Sequence, residues 1–387
     1  MDLYRSKDGG RTWTNVTTVG WYGDLNFVNE KVGWAVVQDD HDQFLALMYT
    51  TDGGQTWEQL APQTASAGEL PRWGTLPPQI KLPANRTILA PDNTQEISML
   101  AEISLEEVTD LAFDFGELAT AQRNGWVTLW GMEGADYPIA LHRHQDRVYD
   151  VKLYGILTAS VSRDGTVFVR GFDNQSIQNL HGGEVTSVAF SPDEKTLATT
   201  SQDRTVRIWN LDFDDHAFLK EAKLTLTGHT DWVWDVTFSG DGSTLASASS
   251  DATVRLWDPA SGETLHILRG HTSTVWRVEF SPDGKMLASA SWDGTVKLWN
   301  TTTGEEVATL SGHEGPVYGI AFSPDGKLLA SGSADGTVIV WDVAQAKIVT
   351  VLRGHTGPVR SVAFNPEGDI LASASDDGTV KFWGVAP

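Results

Sequence analysis

His271, Ser289, Asp293 and Trp299 bring together a hydroxyl, an imidazole and a carboxylate, the residue types of a nucleophilic hydrolase. The same types return at the same offsets four more times. The copies are His181, Thr199, Asp203 and Trp209; His229, Ser247, Asp251 and Trp257; His313, Ser331, Asp335 and Trp341; and His355, Ser373, Asp377 and Trp383. An enzyme needs one such site, so the repetition argues for structure over catalysis. Other catalytic signatures are missing from the sequence: no Gly-x-Ser-x-Gly, no phosphate-binding glycine loop, no His-Glu-x-x-His and no calcium loop. With no cysteine, the chain has no disulfide, thiolate or cysteine metal chemistry. No catalytic residue, metal ligand or cofactor is assigned.

The elements that carry these residues recur with them. Gly228-His229, Gly270-His271, Gly312-His313 and Gly354-His355 stand 42 residues apart, as do Trp257, Trp299, Trp341 and Trp383. Between them recur Phe-Ser-Pro-Asp-Gly at 280–284 and 322–326 and Asp-Gly-Thr-Val at 293–296 and 335–338. Each unit reads as four short strands separated by Asp-Gly or Pro-Asp-Gly turns, with no helical periodicity. Carried backwards, the tryptophan position gives units ending at Trp130, Arg170 and Trp209 as well, seven in all over 96–387. The early units are irregular: Arg170 replaces tryptophan, Leu180-His181 replaces Gly-His, and an insertion surrounds Asp212, Asp214 and Asp215.

Residues 96–387, about three quarters of the chain, resemble the WD-repeat β-propeller family, with Gly270-His271, Trp257-Asp258 and Trp341-Asp342 as its landmarks. The resemblance implies that each His-Ser/Thr-Asp-Trp set is a buried hydrogen-bonded tetrad. It would tie the loop entering a blade to the turn between that blade's second and third strands. It also implies that 97–103 supplies the missing outer strand of the last unit and so closes the ring.

In a four-stranded meander the entering loop and the second turn lie at one end. Residues three and five after the tetrad histidine, and the one before the tetrad aspartate, are expected to line that face. They include Trp232, Trp234, Trp276, Trp292, Tyr318, Arg360, Tyr149, Arg147, Arg163 and Asp376, rich in the aromatic and arginine types of interface hot spots.

Ahead of the ring, 6–13 matches 50–57 in a Ser/Thr-x-Asp-x-Gly-x-Thr-Trp frame. This resembles the Asp-box turn of sialidases, sortilin-like receptors and photosystem assembly-factor-like propellers. Residues 1–60 are therefore expected to be an incomplete Asp-box β-module. Either the true protein begins upstream of Met1, which is the preferred reading, or the fragment packs against its neighbour. Residues 61–95 hold six of the fifteen prolines and read as an extended linker with few contacts, so that removal of 1–90 would leave the ring intact.

The fold class expected is thus all-β: a seven-bladed WD-repeat β-propeller preceded by an incomplete Asp-box β-module. A formal charge of −23 disfavours nucleic acid, no apolar run is long enough for a membrane span, and no signal peptide is visible. The compartment stays open: cytoplasmic is favoured, and extracytoplasmic would follow if the true N-terminus lies upstream. The function expected is a non-catalytic scaffold, a monomeric ring that takes a protein or peptide on one face. The alternative is a sugar-active or photosystem assembly-factor-like protein whose working part is the N-terminal propeller.

Overall fold

The computed structural model describes residues 82, 86–93, 97–114, 116–132, 138–155, 157–170, 181–211 and 222–385 with their side chains. It also describes 174–178 and the strands of 1–59 by their backbone. The chain divides into two compact units, 1–74 and 75–387. In the first, Asp2–Arg5 pairs with Thr14–Thr18, while Tyr22–Phe27, Gly33–Gln38, Leu45–Thr50 and Glu58–Gln59 form an antiparallel meander. The Asp-box turns at 6–13 and 51–57, most of 61–95 and the insertion at 212–215 lie outside the described residues.

The second unit is a ring of seven four-stranded antiparallel sheets, numbered here as blades I to VII. Blade IV shows the pattern: Val233–Phe238 innermost, then Leu245–Ser249, Thr253–Trp257 and Thr264–Arg269. The second strand, Leu-Ala-Ser-Ala-Ser, is buried along its whole length, because each sheet is covered by a blade on either side and small side chains let them approach. The turn before it follows from its residues. Asp241 Oδ1 accepts from Ser239 Oγ at 2.6 Å and from the Ser243 N–H at 3.0 Å, and Gly242 takes the left-handed φ of +71°. Asp283-Gly284 and Asp325-Gly326 repeat it in blades V and VI.

Blade VII comprises Val359–Phe364, Leu371–Ser375 and Thr379–Val385, and its outer strand is Ile97–Ser104 from the start of the ring. The register runs antiparallel from Thr379 opposite Ser104 to Val385 opposite Ile97. The chain ends are thereby stitched into one sheet, as expected, and no blade is left with an open seam.

The segment 86–93 departs from the linker expectation. Leu89 is buried against blade VII, its N–H donates to the Gly368 carbonyl at 2.8 Å, and Arg86 Nε sits 2.9 Å from Asp369 Oδ2. Proline content signalled an extended backbone, but an extended backbone can also lie along a blade. Removing 1–90 would uncover that surface. Among the described residues no helix is long and apolar enough to cross a membrane.

Candidate interaction face of the ring

The five histidine-bearing sets meet as the resemblance implied. In blade V, His271 Nδ1 lies 2.8 Å from Asp293 Oδ2 and Nε2 lies 2.8 Å from Ser289 Oγ, which also accepts the Trp299 indole N–H at 2.8 Å. With the proton on Nδ1, a neutral imidazole donates to the carboxylate and accepts from the hydroxyl, so all four groups are satisfied. Corresponding distances in blades III, IV, VI and VII are 2.7–3.1 Å. Each carboxylate also accepts the backbone N–H after its histidine, at Gly182, Thr230, Thr272, Glu314 and Thr356. The loop is thus tied to the turn.

Burial pushes the carboxyls of Asp251, Asp293 and Asp335 upward, but their hydrogen bonds outweigh it and hold them below the usual range. Burial depresses His181, His313 and His355. The hydroxyl residues Thr199, Ser247, Ser289, Ser331 and Ser373 are fully buried, which leaves a substrate no approach to them.

The first two blades solve the same problem differently. In blade II, Arg170 stands at the tryptophan position, and Ser160 Oγ lies 2.7 Å from both His144 Nε2 and His142 Nε2. His142, on the outer strand Ile139–Arg143 of blade I, stacks on Phe168 at 4.6 Å and fills the indole's place. This sixth network was missed because His142 belongs in sequence to the preceding unit. Blade I keeps only the bond from Trp130 Nε1 to Thr120 Oγ1, and its turn is held by Arg123 to Glu107 and Asn124 to Glu106.

A β-bulge interrupts every innermost strand at one position. The bulged residues are Thr109, Tyr149, Thr186, Trp234, Trp276, Tyr318 and Arg360. Such an extra residue bends the strand and re-aims its side chain. Trp234 and Trp276 stack at 4.3 Å, Trp276 and Trp292 at 5.6 Å, and Trp232 meets Trp234 edge-on at 5.6 Å. Tyr149 touches Trp234, Tyr318 touches Trp276, and Arg360 lies 4.3 Å over the Tyr318 ring. Five of the six aromatic residues and Arg360 thus join one band, and Tyr149, the sixth, extends it toward Arg147, whose guanidinium lies over the Tyr149 ring.

Exposure divides the band. Trp232 and Trp292 are 42% and 43% exposed, whereas Trp234 and Trp276 are half-buried and Trp234 Nε1 donates to Ser250 Oγ at 2.7 Å. Asp376 and Arg163 are occupied in ion pairs, with Arg360 and Glu184 respectively.

Sequence reasoning overlooked the ring's axis. One residue beyond each bulge come Asp110, Asp150, Ser187, Asp235, Arg277, Gly319 and Ser361. An innermost strand has a free edge whose N–H groups need acceptors. Asp110 takes the Val151 N–H, Asp150 that of Val188, Asp235 that of Val278, and Ser361 Oγ that of Leu111. Blades I, II, IV and VII so cap the next. Arg277 cannot accept, and instead its guanidinium lies 2.8 Å from Asp110, 3.7 Å from Asp150 and 3.9 Å from Asp235, crossing from blade V to blades I, II and IV. Glu279, on the same strand, takes the Phe322 N–H in its place at 3.0 Å. At Gly319 a Cβ would lie 2.9 Å from Ser361 Cα, so blades VI and VII meet too closely for a side chain.

Burial raises the Asp110 carboxyl to about 6 and that of Glu279 to about 7, against the pull of Arg277 and Lys152. Asp150 is held below the usual range, because Lys152 and Arg277 overcome its burial. The readable signal was a polar residue two after valine in strand after strand: Val108 and Asp110, Val148 and Asp150, Val233 and Asp235.

This geometry, with its sevenfold meander, stitched ends and repeated tetrads, is that of a WD-repeat β-propeller. Residues 174–210 and 220–258 match the family model described as WD domain, G-beta repeat, and 274–386 match that of the IFT122 first beta-propeller. Among curated proteins the chain is similar to Mitochondrial division protein 1 of Schizosaccharomyces pombe, 31% identical over 132 residues. That match covers 27% of this chain and 20% of the relative. It is also similar to Nuclear distribution protein nudF 1 of Talaromyces marneffei, 35% identical over 170 residues, or 39% of this chain and 36% of the relative. The chain therefore spans about a fifth and about a third of the length of these two relatives.

Proposed function

We propose that the chain is a non-catalytic interaction scaffold, with the bulge-bearing face of the propeller as its docking site for a protein or peptide. The observation that carries this reading is the bulge itself. A backbone feature repeated in seven blades delivers one residue from each, four of them aromatic, two threonine and one an arginine. Two further indoles stand exposed beside them, and aromatic and arginine side chains supply most hot-spot energy in interfaces. The buried tetrad hydroxyls argue against hydrolysis by those groups. Similarity to proteins named for mitochondrial division and nuclear distribution supports a scaffold over an enzyme.

The test is capture from native extract with the full chain and with Trp292→Ala. The substitution is expected to abolish retention of the specific partner while costing under about 0.5 kcal/mol of stability, because the ring is an exposed one. Unchanged capture at an unchanged melting temperature would overturn the assignment of this face.

A further inference from the structure

The docking face is chemically divided. In the loops entering blades IV, V and VI (227–232, 270–274, 312–316) and in their second turns (250–252, 292–294, 334–336), there is no lysine or arginine. Outside the tetrads, the charges there are the exposed carboxylates of Asp231 and Glu314. On the other blades stand Arg123, Arg163 and Arg360, each paired with a carboxylate, at Glu107, Glu184 and Asp376, together with Arg147 over the Tyr149 ring and the exposed Arg204. The exposed indoles Trp232 and Trp292 lie on the half formed by blades IV to VI, where Arg255 reaches in from the third strand of blade IV to the Gly228 carbonyl. An aromatic face carries negative quadrupole density, and the carboxylates of Asp231 and Glu314, neither of them in an ion pair among the described residues, add to it.

Resting on the reading that this face binds a partner, we infer that the half bearing Trp232 and Trp292 receives a cationic segment, with an arginine or lysine side chain laid on the exposed indole. An apolar segment would be served as well by leucine or phenylalanine and would gain nothing from Asp231 and Glu314. An acidic one would meet both those carboxylates and a chain of formal charge −23. Trp276 stacks under Trp292 with an interplanar angle of 17°, so the receiving ring is held in place before the ligand arrives.

The experiment is fluorescence polarisation of the full chain with a dye-labelled Gly-Arg-Gly-Lys-Gly-Arg-Gly peptide and a neutral twin carrying citrulline and norleucine. The cationic peptide is expected to bind at least about tenfold more tightly than its twin. Trp292→Leu, which keeps an apolar group and removes the π-face, is expected to weaken it about fivefold with the melting temperature unchanged. Asp231→Asn with Glu314→Gln is expected to weaken it further. If Trp292→Leu binds the cationic peptide equally well, the attraction is net charge alone and the inference fails. If both peptides bind alike, or neither binds while partner capture still depends on Trp292, the inference fails and the docking face stands. If capture itself is indifferent to Trp292, the docking face fails too.

Discussion

His271 and Trp276 stand five positions apart. The first stands in the same bonds as His229, His313 and His355, while the counterparts of the second are Trp234, Tyr318 and Arg360. Where the loop must be held to the turn, one chemical solution recurs because each buried polar group must find its partner. Where the bulge delivers a side chain to the face, neighbouring blades place no such demand. Blade II sharpens the contrast: its anchor is rebuilt from His142 and His144 around Ser160, so even there the bonds are restored rather than dropped.

The largest effect that would separate scaffold from face is loss of the closing strand. A chain lacking 97–104 leaves Thr379–Val385 as an open edge and uncovers the blade VII interior around Ile103. Loss of the fold is expected, seen as aggregation on size exclusion. An unchanged elution volume with an unchanged melting temperature would remove the argument for closure.

Next comes the anchor. His313→Ala removes the imidazole from between the Asp335 carboxylate and the Ser331 hydroxyl, which keep the Glu314 N–H and the Trp341 indole, and is expected to cost about 2–4 kcal/mol in urea unfolding. His142→Ala in blade II leaves Ser160 bonded to His144 and should cost only about 1 kcal/mol beyond its lost packing on Phe168. Equal costs would mean that blade II has no substitute tetrad.

A smaller effect concerns pH. Glu279 has its folded value raised to about 7, against about 4.3 for an unfolded glutamate. Its contribution is therefore present below about pH 4 and lost as pH rises through about 7. Glu279→Gln keeps an acceptor for the Phe322 N–H and should melt higher than the natural chain at pH 8, with no advantage at pH 4. Asp335 and Asp377 run the other way: their depressed values stabilise the fold above the ordinary carboxylate range, and this is lost as pH falls. Both chains should thus share the acid limb of the profile. A Glu279→Gln curve that tracks the natural one up to pH 8 would show that the axis carries no such strain.

Much of the ring was legible because its information is local. Turns, strand alternation and the 18-residue step from His271 to Ser289 lie within one unit and can be read from spacing. The bulge positions were legible for the same reason, as a fixed offset from histidine, although only packing distinguishes exposed Trp292 from half-buried Trp276. The segment around Leu89 was misread because proline content reports backbone conformation and says nothing about which surface lies beneath.

By itself, the sequence determined the all-β class and the seven units, since both follow from residue type at a fixed period, while the closing strand and the partners within each tetrad followed from the resemblance to WD-repeat propellers. Only the tertiary structure decided the axial belt. Asp110 meets Arg277 across 167 residues and Ser361 across 251, and no spacing rule links them. Closing the ring brings the free edges of seven strands to one axis, where every buried N–H and every charge must be answered by whichever blade happens to face it.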